Sequence, residues 1–226
     1  MPASHTIELH FPLPAYLSPD LVVQHLQAYE PLIIPHPYLL RYNRLPVDEK
    51  DVAADPFFTD DGARTECYEV FERIAIVPML GLNKDIRVPA TFQSFPAGVR
   101  CRADAQGGVR VWSTYEVQRR DLGAEFERAG RADSGGVARD DLHDIVDGAG
   151  LSSPGAGEWE LVEHAKVECS AIVKPFVVRS FEAAHRDLCQ KVIDGLKRTT
   201  SKEHIAQAQD PIRGTPVMVP ASGVVA

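Results

Sequence analysis

"WELVEHAKVECS" (residues 159–170) runs directly into "AIVKPFVVRSFEAAHRDLCQKVIDGLKR" (residues 171–198). In the first piece Trp159, Leu161, Ala165, Val167 and Cys169 share one face, and Glu160, His164, Lys166 and Glu168 share the other. That period of two predicts a half-buried strand. In the second piece Val177, Phe181, Ala184, Leu188 and Val192 recur at helical spacing, which predicts a long amphipathic helix. One residue breaks the strand pattern: Glu163 falls among the apolar set. A buried carboxylate without a partner costs several kcal/mol or takes up a proton. Glu163 therefore calls for a partner or a wet space, unless the strand twists it out to solvent or to a structural arginine.

Upstream, Ile7, Leu9 and Phe11 alternate with Thr6, Glu8 and His10, giving a first strand. Ser18-Pro19-Asp20 has the order of a helix start, with Ser as N-cap, Pro at the first position and an acid in the first turn. Val22, Leu26 and Tyr29 line one side of that short helix, and Pro31 ends it. The proline-rich PLIIPHP suits a second short turn or helix. Extended runs follow at 37–46, 66–78 and 86–96, separated at first by a polar loop, VDEKDVAADPFFTDDGAR. Pro89 suggests an edge or a bulge. In "VRCRADAQGGVRVWSTYEVQ" two alternating runs flank Gly107-Gly108, the pattern of a β-hairpin.

Residues 121–158 differ from the rest. They carry eight of the chain's sixteen glycines and many acids, as a lid or a disordered insertion would. Residues 199–226, with three prolines and small residues, read as a tail to a single domain over 1–198.

The chain has 226 residues, 44% hydrophobic and 25% charged, ordinary material for one domain with a real core. Its net charge of −8 argues against a nucleic-acid partner. The densest basic group, Arg100, Arg102, Arg110, Arg119 and Arg120, is read as a solvated sheet face. The start, MPASHTIELHF, lacks the pattern of a secretory signal, and no apolar run approaches the ~20 residues of a membrane helix. Cys67, Cys101, Cys169 and Cys189 are scattered, with no CxxC pair. Small buried hydrophobes in a reducing compartment fit them, so a cytoplasmic protein without an integral membrane segment is expected. Oligomeric state is not readable.

Strand, two short helices, a run of antiparallel strands and one long C-terminal helix resembles the order of the START-like (SRPBCC, or helix-grip) fold. "IVPMLGLNKDIRVPATFQSFPAGVRCRADAQGGVRVWSTYEV" (76–117) is similar to a fungal family of START-like domains of unknown function. The similarity lies in Pro78 to Gly81, the Pro96-to-Val99 turn, the Gly108-Val109 turn, Trp112 and the helix start "FVVRSFEAAHRDL" (176–188). The resemblance spans about residues 5–198 and implies an α+β fold, a curved antiparallel sheet wrapped around the last helix with a cavity between them. Its motifs are turn and packing features, so it carries over no catalytic residue.

On such a fold the apolar face of 159–170 looks inward, and Glu163 with it, as a polar anchor or general acid/base in a greasy pocket. His185, on the shoulder of the helix stripe, either meets Glu163 as an acid/base pair or serves as an amphipathic rim residue. Tyr38, Tyr42, Tyr68, Glu72 and Tyr115 are the candidate ligand contacts; ordinary core packing is the alternative for each tyrosine. The run "DDLHDIVD" (140–147) fits neither an EF-hand loop nor a helical zinc motif, so no metal site is assigned. Nucleophile-elbow, dinucleotide, P-loop and HExxH signatures are missing, and no cofactor is expected.

The resulting expectation is a protein that holds an apolar small molecule, a lipid or a polyketide-like or terpenoid-like secondary metabolite. It would either carry that molecule or catalyse its cyclisation, dehydration or isomerisation. The competing reading is a protein-interaction module whose core side chains fill the interior.

Overall fold

The chain builds its sheet from both ends. In the computed structural model, described for residues 2–59, 61–77, 82–121 and 156–208, β1 (Pro2–Pro14) forms one edge of a seven-stranded sheet. The chain then crosses the sheet through α1 (Pro19–Leu26) and α2 (Glu30–Ile33) to the opposite edge, β2 (Leu39–Leu45). After α3 (Glu49–Ala54) it returns as a meander: β3 (Thr65–Val77), β4 (Leu82–Phe95), β5 (Gly98–Ala105), β6 (Val109–Arg119) and β7 (Ala156–Ser170). β7 closes on β1, giving the order β1-β7-β6-β5-β4-β3-β2 with every neighbour antiparallel and the sheet curved. A 35-residue helix, α4 (Lys174–Ala208), completes an α+β fold.

Each strand turns its apolar parity to one face. Ile7, Leu9 and Phe11 of β1 and Leu161, Ala165 and Val167 of β7 are buried there beneath α4, while α1 lies over β5 and β6 and α2 packs on α1 and α4. The β5–β6 turn is as predicted, with Gly107 and Gly108 at φ 92° and 76°, a conformation that side chains with a Cβ seldom adopt. Gly98 answers a different need: a Cβ there would stand 1.8 Å from the backbone oxygen of Tyr115 on β6. Paired registers between β4 and β5 run only from Ala90 to Phe95, so Pro89 stands where β4 loses that partner. Ser18 occupies the N-cap of α1 in an extended conformation, but its hydroxyl makes no capping hydrogen bond.

Three features depart from the sequence reading. The polar loop after β2 contains α3, whose N-cap Asp48 accepts from the amides of Lys50 and Asp51. α3 lies on the outer face of the sheet and covers Arg102, which is buried against Asp51, Asp55 and Asp104 rather than solvated like Arg110 and Arg119. β7 begins at Ala156, inside the stretch read as an insertion, and α4 runs ten residues into the stretch read as a tail. Residues 199–208 contain neither proline nor glycine, so nothing in them stops a helix. The rest of the insertion (122–155, with DDLHDIVD), residues 78–81 and residues 209–226 lie outside the described residues.

Candidate functional site

The inner face is filled unevenly. At one end Tyr29, turned by a left-handed backbone (φ 64°), stacks on Phe92 and donates its hydroxyl to the Arg64 carbonyl at 2.6 Å. Leu188, Cys189, Val192, Ile193 and Leu196 of α4 are buried against the sheet. Under the first half of α4 several inward positions are small: Ala103 and Ala105 on β5, Ser113 on β6, Ser180 and Ala184 on α4. A cavity of about 190 Å³ remains there, walled by β3, β4, β5, β6, α4 and the segment before β2. Gln106 and Phe176, both exposed, belong to its lining and mark its rim.

Glu163 is on the inward face and fully buried, at 0% exposure. Its carboxylate does not open on the cavity. Oε1 meets His185 Nδ1 at 2.6 Å, and Oε2 accepts from the Cys189 thiol at 3.7 Å. His185 stands between Glu163 and the hollow and forms part of the wall, stacked on Phe181 with ring centroids 3.7 Å apart. The strand and helix that the sequence read separately thus bring the two candidate residues together. The Tyr115 hydroxyl lies 3.2 Å from the same Nδ1. Burial, with Glu163 nearby, holds that phenol well above its ordinary pKa, so it stays protonated.

Across the cavity β3 turns Glu72 inward, together with Tyr68, Val70 and Ile74. Burial pushes the Glu72 carboxyl up to about 6, against the attraction of His185. Oε1 of Glu72 is 3.2 Å from His36 Nδ1, but the ring is turned so that no hydrogen bond forms, and Nδ1 is buried without a partner. Burial, reinforced by His185, drives His36 down to about 3, which keeps it neutral. Ser113 Oγ is a second buried atom in this wall without a hydrogen-bond partner.

Of the tyrosines, Tyr38 and Tyr115 line the hollow; Tyr42 and Tyr68 do not. Those two share the inward face but lie further along it. Tyr68 packs on Phe92 and donates to Glu66 at 2.6 Å, and Tyr42 leans on Tyr68 and reaches Glu30. Face follows from alternation; distance along the strand to the hollow does not. Sequence reasoning passed over His36, and over the small inward residues that leave the space. Cys101, Ala103 and Ala105 at alternate positions of β5 were the available signal.

Fold and site together define a class: an α+β protein whose antiparallel sheet and C-terminal helix enclose a cavity beside a buried carboxylate–imidazole pair. Residues 2–198 match the family described as "Domain of unknown function (DUF7053)", and the chain belongs to that family. No curated protein matches it. Among the described residues, no helix is long and apolar enough to cross a membrane.

Proposed function

We propose that this chain binds a small, largely apolar molecule in the cavity and moves a proton on it without a cofactor, with Glu163–His185 as the general base. The observation that carries this reading is the 2.6 Å contact from Glu163 to Nδ1 of an imidazole that is itself cavity wall. A carboxylate only accepts, so Nδ1 carries the hydrogen and the lone pair lies on Nε2. No described residue hydrogen-bonds Nε2. When Nε2 takes a proton, Glu163 stabilises the imidazolium that forms. Isomerisation, dehydration and cyclisation are the reactions such a base serves in a largely apolar space.

A dry cavity of about 150 Å³ takes benzene, so about 190 Å³ suits a ligand built on one ring. A longer lipid, polyketide-like or terpenoid-like ligand would extend past Gln106 and Phe176. The element order and the hollow under α4 support a START-like, helix-grip assignment. The cavity weighs against the reading in which core side chains fill the interior for protein binding alone. All four cysteines are free thiols, which supports a cytoplasmic setting.

Glu163→Gln tests the reading. It keeps the shape of the side chain and removes the charge that holds the tautomer. Turnover of an identified substrate should fall about 10²-fold or more. Unchanged turnover would remove the pair from proton transfer and leave a carrier.

A further inference from the structure

We propose that the cavity is built for a small organic cation, a protonated amine whose nitrogen sits against Glu72 and His36 among the aromatic rings of the wall. This rests on the pocket reading above, but not on His185 acting as a base.

Charge decides the ligand class. Among the described residues lining the cavity there is no lysine and no arginine. Two carboxylates, Glu72 and Glu163, stand in or behind its wall, and one imidazole, His185, can answer them; it is taken by Glu163 at 2.6 Å. His36 supplies no countercharge, because it is held neutral. Glu72, with its side chain only 17% exposed, is left with no described hydrogen-bond donor. An ionised carboxylate so placed is costly until a cation reaches it. An anionic ligand would meet the Glu72 carboxylate with no lysine or arginine in the described wall, and a neutral ligand would leave its charge uncompensated.

The acceptors fit an ammonium group. The Glu72 carboxylate lies 3.2 Å from His36 Nδ1 with no hydrogen bond between them, so its oxygens are left to accept from an N–H-rich head. Tyr38, Tyr115, Phe176 and Phe181 supply aromatic rings to the wall, and aromatic rings attract cations. Ser113, 2% exposed and beside Tyr115, stands three strands away in the sheet and provides for a polar group at the ligand's far end. The titratable groups around Glu72 are His36 and Tyr38 from the segment before β2, Cys101 from β5, Tyr115 from β6 and His185 from α4. Asp187 and Lys191 of α4 act on His36 with opposite signs.

Benzylamine and benzyl alcohol are near-isosteres of a size the cavity takes, and calorimetric titration at pH ~7.5 and pH ~5 separates charge from shape. At the higher pH the intact chain should bind the amine at least about tenfold more tightly than the alcohol. That preference should shrink at the lower pH, where Glu72 carries a proton. Glu72→Gln should abolish it while the alcohol still binds. Equal or tighter binding of the alcohol by the intact chain at pH ~7.5 would overturn the inference and leave the pocket reading standing. An amine preference that survives Glu72→Gln would overturn the assignment to Glu72. Binding of neither compound would overturn both the inference and the pocket.

Discussion

Glu72 and His36 touch at 3.2 Å, yet burial drives them in opposite senses, up to about 6 and down to about 3. The consequences for stability are opposite too. A carboxyl raised above its ordinary 4.5 holds its proton more tightly in the folded chain, so it opposes folding at neutral pH. That penalty, about 2 kcal/mol, fades as pH falls through about 6 towards 4.5. Glu72→Gln should therefore stabilise the protein by up to about 2 kcal/mol at pH ~7.5 and change little at pH ~4.5, measured by urea unfolding. A variant less stable than the parent at neutral pH would contradict the placement of Glu72. His36, kept neutral, loses stability as pH falls from 6.5 towards about 3, so the two residues partly offset each other between about pH 4.5 and 6. None of this pairing was legible in the chain, where 36 and 72 are far apart and His36 sits in a proline-rich turn. Glu163 was legible, because alternation alone marks a charged residue on an apolar face.

Elements with strong periodicity or turn chemistry could be read; those made by tertiary contact could not. The β5–β6 hairpin follows from two glycines between alternating runs, and α4 follows from its stripe. α3 escaped notice because its six residues have no buried face of their own; it is placed by Asp48 at its cap and by Asp51 beside Arg102. Tyr42 and Tyr68 show the same limit. Their parity is right, but Tyr29 and Phe92 fill the space they would need. The stripe of α4 also divides by energetics, solid from Leu188 onward and hollow before Ala184. Leu188→Ala, at a site 1% exposed, should cost about 2–5 kcal/mol in chemical denaturation. A loss under ~1 kcal/mol would mean that this half of the helix does not pack as described.

Across the whole molecule, the crossing of α1 and α2 from β1 to β2 frees the remaining strands to meander back and close on β1. That route places α1, α2 and α4 on one face and gives the sheet an inner side with room to differ along its length. Small residues on β5, β6 and α4 leave the space, and Glu163, buried on β7, presents His185 to it. Binding and proton transfer both require that space to be empty of side chains. Diffraction from crystals held under xenon reads it out. The account predicts a xenon atom between Val111, Val177 and Phe181, on the His185 side of the sheet. Crystals with no xenon there, and with side chains filling the interval between α4 and β3 to β6, would contradict it.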